Sequence, residues 1–270
     1  MHLQQEPTSD PSVLTTIITT TITGQIDPSP ANQPHAETTT TTTTSNPTTS
    51  NGNKKKKVKY LYFAYGSNLS PTQMRMRCTH NSTLSAHPVA IAALDSWRWL
   101  ICQFGYANVI PHAGLRVGPE IDEGDDVPES VSKTLPNGGV YGVLYEMSAE
   151  DERVLDGYEG VDHHAGPTRH EGLVPGGIRP HEQGAGNYNK WYVGARVVRW
   201  LDEAYRERNG FEGLGGEVRV LVYVDEMRCK VARPNEEYVP RMNRAIREAV
   251  YLGFPEDWAV EVMRRAIPEE

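Results

Sequence analysis

Cysteine is scarce in this chain, and acidic residues outnumber basic ones. The three cysteines among 270 residues, Cys78, Cys102 and Cys229, form no Cys-x-x-Cys pair and no even-numbered set. This pattern argues against a disulfide-stapled secreted scaffold and a thiolate metal site, and it predicts a reducing, cytoplasmic location. The 35 acidic and 27 basic residues leave a net charge of −8 at pH 7. Because phosphate contacts need a basic surface, we expect no nucleic-acid partner.

Long apolar runs and several common catalytic motifs are also missing. No segment reaches the roughly 18 apolar residues that a helix needs to cross a bilayer, so we expect no membrane partner. The N-terminal residues lack a positive region followed by an apolar one, so no targeting signal is predicted. There is no Walker A loop, no Rossmann fingerprint and no Gly-x-Ser-x-Gly elbow. Nucleotide chemistry and a nucleophilic role for Ser67 are therefore disfavoured.

Residues 1–57 form a low-complexity segment with an unbroken threonine run from Thr38 to Thr44. Such a segment buries too little apolar surface to offset the entropy lost on ordering. We expect a disordered tail over 1–57 and one folded domain over 58–270. The run Lys54–Lys57 is interpreted as a junction before the first strand, with a nuclear signal or nucleic-acid patch as the alternative.

The folded part predicts an α+β domain. Strand patterns, rich in β-branched and aromatic residues, fall at Val58–Ala64, Val89–Cys102, Val140–Met147, Tyr192–Leu201 and Val218–Val224. Helix patterns fall at Pro71–Arg77, Ala149–Leu155, Pro240–Leu252 and Glu256–Ala266. Insertions are predicted near 118–136 and 162–190. The second contains His163, His164, His170 and His181, whose spacing is not that of metal ligands, so we expect a solvated loop and no metal.

A strand-turn-helix junction marks the first candidate site. The apolar run Val58–Ala64 leads into Tyr65-Gly66-Ser67-Asn68, after which Ser70 can cap a helix that has Pro71 at its first position. A glycine here lets the backbone approach a ligand closely. The free N–H groups of such a turn can hold a carboxylate or an oxyanion. The simpler alternative is a strand that ends in a polar turn.

A second signal lies downstream and supplies an acid. The strand pattern Val140–Met147 is followed by Ser148, a plausible N-cap, and by a short helix with acids in its first turn. Most of these acids are interpreted as capping or solvated charges. Glu159 lies between Tyr158 and Gly160, just past the helix, and is the candidate functional acid.

The two motifs together resemble the γ-glutamylcyclotransferase family. The resemblance rests on Tyr65–Leu69, Gly142–Tyr145 and Leu155–Gly160, and it continues through Trp191–Val193, Leu221–Val224, Asn235–Tyr238 and Gly253–Pro255. It spans Tyr60 to about Ile267 in a consistent order. The family implies a small mixed β-barrel flanked by helices, with the site at the strand ends. It also makes a homodimer plausible.

The resemblance implies a lyase that needs no cofactor and no metal. The α-amine of a γ-glutamyl substrate attacks its own γ-carbonyl, which forms 5-oxoproline and expels an amino acid. One carboxylate can serve as base and then as acid, and that role is carried over to Glu159. The residues expected to cradle the glutamyl group are Tyr62, Phe63, Ala64, Tyr65, Gly66, Ser67 and Asn68. Tyr192 and Tyr238 are carried over as pocket tyrosines.

Three alternatives stay open at the level of sequence. Asn68 after Ser67 favours the branch of the superfamily that acts on γ-glutamyl amino acids and dipeptides, against a glutathione-specific cyclotransferase. A non-catalytic small-molecule-binding module could share the fold without needing an acid at Glu159. A third possibility makes the threonine-rich tail and Lys54–Lys57 the functional part.

Overall fold

The computed structural model describes residues 60–123, 139–169 and 174–269. The tail predicted over 1–57, and much of the insertion predicted near 118–136, lie outside these residues. The strands are β1 Leu61–Ala64, β2 Pro88–Asp95, β3 Arg98–Ile101, β4 Ala107–Ile110, β5 Gly139–Tyr145, β6 Asn189–Trp200 and β7 Glu217–Val224. The α-helices are α1 Pro71–Arg77, α2 Ser82–Ser85, α3 Ala149–Tyr158, α4 Glu203–Asn209, α5 Tyr238–Tyr251 and α6 Glu256–Trp258. Short 3-10 turns cover Ser67–Leu69 and Ala113–Leu115, and a π-turn covers Ala259–Met263.

Five strands close into a mixed barrel in the order β1-β5-β2-β6-β7. The closing pair, β1 with β7, is parallel and sets Leu61 opposite Val220, whereas the other neighbours in the barrel are antiparallel. Strands β3 and β4 form a separate antiparallel hairpin. The α+β class and the small mixed barrel flanked by helices, predicted from the sequence, are confirmed.

Large side chains fill the barrel. Trp191, Tyr145, Tyr223 and Phe63 are among the largest fully buried side chains. Every residue of β1 is buried, which explains why this strand is a continuous apolar run with no alternation. Burying apolar surface at about 25 cal/mol per Å² makes this interior the main source of stability.

Two predicted elements are each divided in the structure. The strand predicted over Val89–Cys102 is divided into β2 and β3 by a tight turn in which Ser96 has φ 66°. A positive φ at a residue other than glycine is uncommon, so composition did not reveal this turn. The helix predicted over Glu256–Ala266 is a short α6 followed by the π-turn Ala259–Met263. By contrast, α1 has the predicted bounds, and the Ser70 side chain accepts a hydrogen bond from the Gln73 amide at 3.0 Å.

The second insertion was expected to be a solvated loop, and its described histidines, His163, His164 and His181, are exposed, but a few of its other side chains are buried. Arg179 is 5% exposed and donates two hydrogen bonds of 2.6 Å to the carboxylate of Glu226, just after β7. The Trp191 indole donates to the same carboxylate at 2.7 Å. Such a buried charge is tolerated because paired donors satisfy it. His170 lies outside the described residues, and within those described no cluster of three or more His, Cys, Asp or Glu could hold a metal ion.

Over the described ranges, no helix has the length and apolar character required to cross a bilayer.

Candidate active site

The turn after β1 forms one wall of a cavity. Within it, the Leu69 amide donates to the Gly66 carbonyl at 2.9 Å, and the Ser67 amide donates to the Tyr238 hydroxyl at 3.3 Å. A Cβ added to Gly66 would lie 2.8 Å from the Tyr238 hydroxyl oxygen and 3.3 Å from the Ala107 Cβ. The close approach of Tyr238, and not the backbone conformation, therefore disfavours a side chain at position 66, since φ at Gly66 is −121°.

Helix α3 delivers Glu159 to this turn. The helix ends in a Schellman motif, in which the Val161 amide donates to the Asp156 carbonyl at 2.9 Å and the Gly160 amide donates to the Gly157 carbonyl at 3.2 Å. Gly160 takes the left-handed conformation that this motif needs, with φ +61°. The motif places Glu159 at the C-cap, directly after the last residue of α3.

Glu159 and Asn68, predicted separately from distant motifs, meet in space. The Asn68 side-chain amide donates to Glu159 Oε1 at 3.3 Å and to the Tyr62 hydroxyl at 2.9 Å. Arg77, the last residue of α1, donates to the same Oε1 at 3.3 Å and to Asn68 Oδ1 at 3.0 Å. The side chains of Arg77 and Glu159 are 14% and 17% exposed, so solvent screens the pair only partly.

Burial sets the electrostatics of the cavity. Desolvation raises the pKa of Glu159 above its ordinary value, although Arg77, the Asn68 hydrogen bond and Arg241 each oppose the rise. Burial also raises the pKa of Tyr238 to about 12, so its hydroxyl is protonated at neutral pH. The cavity thus combines a carboxylate whose pKa is raised with a phenol that can donate a hydrogen bond.

The cavity has a volume of about 260 Å³ and contains most of the predicted site residues. Those that line it are Tyr62, Tyr65, Gly66, Ser67, Asn68, Glu159 and Tyr238. The lining residues that sequence reasoning missed are Arg77, Phe104, Tyr106, Ala107, Tyr158, Asn187, Tyr188, Tyr223 and Arg241. Arg77 ends the predicted helix Pro71–Arg77, but no sequence pattern shows that this end points back to the turn.

The structure does not bring Phe63, Ala64 or Tyr192 to this cavity. Phe63 and Ala64 are fully buried inside the barrel, and the Phe63 ring packs against Gly142. Tyr192 lines a different cavity, which we call the β6–β7 groove; Asp95, Arg196, Glu217 and Arg219 also line it. The ring of Tyr192 packs edge-on against Tyr60, with centroids 4.9 Å apart.

The tyrosine that enters the site from this part of the chain is Tyr188, which directly precedes β6. Its hydroxyl donates to the Ala107 carbonyl at 2.9 Å. The main-chain N–H of its neighbour Asn187 donates to the Gly160 carbonyl at 2.8 Å, and the side-chain Oδ1 of Asn187 accepts from Arg228 at 3.1 Å. The two ends of the second insertion are therefore joined beside Glu159.

Comparisons with known proteins give likeness of structure only. No protein-family model matches the chain, and no curated protein sequence matches it. The chain is similar in structure to a γ-glutamyl cyclotransferase: the two are 17% identical with a TM-score of 0.43, over 78% of this chain and 89% of the other. It is similar to YkqA from Bacillus subtilis, with 14% identity and a TM-score of 0.41 over 78% of this chain, and it spans 56% of that protein.

A third similar structure is a yeast γ-glutamyl cyclotransferase described as specific to glutathione. It is 10% identical with a TM-score of 0.39, over 74% of this chain and 96% of the other. Identities this low leave the activity of the chain to be argued from the site itself.

Proposed function

We propose that this protein is a γ-glutamylcyclotransferase that converts γ-glutamyl amino acids or dipeptides into 5-oxoproline and a free amino acid. The observation that carries the proposal is the placement of Glu159. Its carboxylate has a raised pKa, lies at the wall of a small cavity and is held by Asn68 and Arg77 beside the Gly66–Asn68 turn. A carboxylate with a pKa nearer neutrality is suited to accept and return a proton.

In the proposed reaction, the substrate supplies its own nucleophile. Glu159 takes a proton from the α-ammonium group, and the freed amine attacks the γ-carbonyl carbon to form the new C–N bond of the lactam. The amide C–N bond to the departing amino acid then breaks, and the proton held by Glu159 passes to the leaving nitrogen. The attacking nitrogen gives up its second surplus proton by the same route, so the lactam is left with one N–H and the amino acid departs as an ammonium ion. Intramolecular attack of this kind gains a large effective molarity once the cavity fixes the folded conformer.

The Gly66–Asn68 turn is the proposed oxyanion site. The Ser67 N–H already donates to the Tyr238 hydroxyl, and the Leu69 N–H donates to the Gly66 carbonyl. The proposed main-chain donor to the developing negative charge is therefore the Asn68 N–H. The Tyr238 hydroxyl lies beside Gly66, and its raised pKa keeps the proton that it would donate. Donors fixed in advance favour the tetrahedral intermediate over the planar substrate.

An assay of the full chain tests this proposal. The purified protein is incubated with γ-glutamyl-alanine and, separately, with glutathione, and 5-oxoproline is measured. We expect release from γ-glutamyl-alanine, and slower release from glutathione because Asn68 favours the branch that acts on dipeptides. Release from neither substrate would favour a non-catalytic binding module. Release from glutathione alone would keep the chemistry and overturn the specificity.

The other expectations from the sequence stay predictions. A homodimer, a cytoplasmic location and the absence of a nucleic-acid partner belong to this group. Deleting residues 1–57 should leave turnover unchanged, whereas loss of function would favour the threonine-rich tail as the functional part.

A further inference from the structure

One charged side chain of the cavity, Arg241, has no substrate group assigned to it in the proposed reaction. Arg241 lies on α5, one turn after Tyr238, and lines the cavity. Its guanidinium stands over the Tyr238 ring at 5.0 Å and over the Tyr106 ring at 5.8 Å. One nitrogen donates to Glu237 at 2.7 Å. Two aromatic faces and one carboxylate therefore hold this group in place.

The positive charge of Arg241 is not balanced by a carboxylate in the lining of the cavity. Among the described residues, three charged side chains line the cavity, Glu159, Arg77 and Arg241, and the first two form an ion pair. Glu237, the partner of Arg241, does not line the cavity, and its side chain is 57% exposed. Water screens such an exposed carboxylate strongly, so the cavity presents a net positive charge at Arg241.

Arg241 lies towards the mouth of the cavity. Tyr158, Phe104 and the Arg241 side chain line the cavity and are 59%, 38% and 27% exposed, whereas Tyr188 and Tyr223 are 6% and 1% exposed. The γ-glutamyl group must lie beside Glu159 in the proposed reaction. The departing amino acid must leave through the mouth, which Tyr158, Phe104 and Arg241 border. The other cation of the cavity, Arg77, is paired with Glu159, so Arg241 is the cation left to meet the departing group.

We propose that Arg241 binds the α-carboxylate of the departing amino acid and so selects γ-glutamyl amino acids over γ-glutamyl amines. This inference rests on the proposed function. A guanidinium has five donors in a planar fork that matches a carboxylate, and only one nitrogen is occupied by Glu237. In a γ-glutamyl tripeptide such as glutathione, that carboxylate is replaced by a neutral amide, so Arg241 would also favour dipeptides over glutathione.

The test compares two substrates that differ only at this carboxylate. Steady-state kinetics of the full chain and of Arg241→Gln are measured with γ-glutamyl-alanine and with γ-glutamyl-alaninamide. For Arg241→Gln we expect KM for γ-glutamyl-alanine to rise about 10- to 100-fold, the loss typical of one charge-assisted hydrogen-bonded pair, with kcat changed less than about threefold. KM for the alaninamide should change less than about threefold. Arg247→Gln removes the same charge from an exposed position of α5 and should leave both substrates unchanged.

Product inhibition separates the two carboxylates of the substrate. 5-Oxoproline carries only the glutamyl carboxylate, so its inhibition constant should be the same in the wild type and in Arg241→Gln. An equal loss on both substrates, together with weaker product inhibition, would place Arg241 on the glutamyl carboxylate and overturn the inference while the proposed function stands. If the wild type turns over neither substrate, both fall together.

A second variant keeps the test valid if Arg241→Gln does not fold. Arg241→Lys retains the charge but loses the planar fork, and we expect an increase in KM of about three- to tenfold for γ-glutamyl-alanine alone. Melting temperatures of all variants serve as the folding control. Equal KM values for γ-glutamyl-alanine in Arg241→Lys and wild type, with the loss in Arg241→Gln confined to that substrate, would support the charge as the feature that matters. No selective change in either variant would overturn the inference.

Discussion

The Glu159 cavity and the β6–β7 groove contain similar residues in different surroundings. Both combine tyrosine, arginine and carboxylate side chains, and the groove is the larger, at about 600 Å³ against about 260 Å³. In the groove, Asp95 and Arg196 pair with side chains 58% and 45% exposed. In the cavity, Glu159 and Arg77 pair at 17% and 14%. The two regions differ in how deeply their carboxylates are buried, and burial raises the pKa of a carboxylate. Burial therefore distinguishes the candidate site from the groove better than cavity volume or residue type does.

The largest expected effect comes from exchanging a carboxylate for its amide in each cavity. Glu159→Gln keeps the shape but removes the proton acceptor, so kcat for γ-glutamyl-alanine should fall on the order of 10²- to 10⁴-fold. The matched change Glu217→Gln, in the β6–β7 groove, should leave kcat within about twofold. Comparable losses from both changes, or near wild-type turnover in a folded Glu159→Gln protein, would abolish the distinction between the two regions.

A methyl group at Gly66 tests how tightly the cavity is packed. The added Cβ of Gly66→Ala meets the Tyr238 hydroxyl at 2.8 Å, so kcat/KM should fall on the order of 10- to 100-fold as both groups shift. Crowding of this kind also costs about 1–3 kcal/mol of unfolding free energy.

Tyr238→Phe removes the oxygen atom that causes the clash. Part of the stability lost in Gly66→Ala should therefore return in the double variant Gly66→Ala/Tyr238→Phe, as measured by denaturant unfolding. Strictly additive losses would show that the two residues do not press on each other.

The pH profile tests the pairing of Arg77 with Glu159. The base must be deprotonated, so kcat/KM should fall as pH decreases through the raised pKa of Glu159. Arg77 lowers that pKa, so Arg77→Gln should move the acid limb of the profile to higher pH. Circular dichroism confirms folding, and an acid limb that stays in place or moves to lower pH would contradict the pairing.

The smallest effect is expected at Tyr192. The resemblance of the sequence to γ-glutamylcyclotransferases suggested a pocket role, but its ring lies in the β6–β7 groove against Tyr60. Tyr192→Phe should therefore leave kcat and KM within about twofold. A loss of kcat/KM greater than tenfold in a variant with an unchanged melting temperature would indicate that the β6–β7 groove takes part in the reaction.

The sequence alone predicted the features of the molecule that depend on residues adjacent in the chain. The bounds of α1 and its Ser70 cap follow from residues adjacent in the chain. The turn at Gly66 and Glu159 were predicted as candidates because each directly follows a regular element, and both line the same cavity. That Asn68 and Glu159 would touch was not evident from local pattern, since it depends on how two distant segments pack.

The rest of the site depends on packing that no local pattern encodes. Tyr188 and Asn187 come from an insertion whose composition predicts a solvated loop. Part of that insertion is held against the barrel by the buried pair of Arg179 and Glu226, which are far apart in the chain, so no local pattern reveals it. Arg241 is one of several charged residues on an amphipathic helix. Its place over two tyrosine rings cannot be distinguished by sequence from a solvated position.

The end of α3 has a consequence for how a substrate could be captured without being converted. Glu159 caps a helix of 10 residues at its carbonyl end, where aligned peptide dipoles amount to about half a negative charge. That field comes from the main chain and persists when the side chain is changed. In Glu159→Gln it would still attract the α-ammonium group of a γ-glutamyl dipeptide, so this variant should bind intact substrate while turning it over very slowly. It is therefore the variant of choice for a crystal that holds the unreacted substrate.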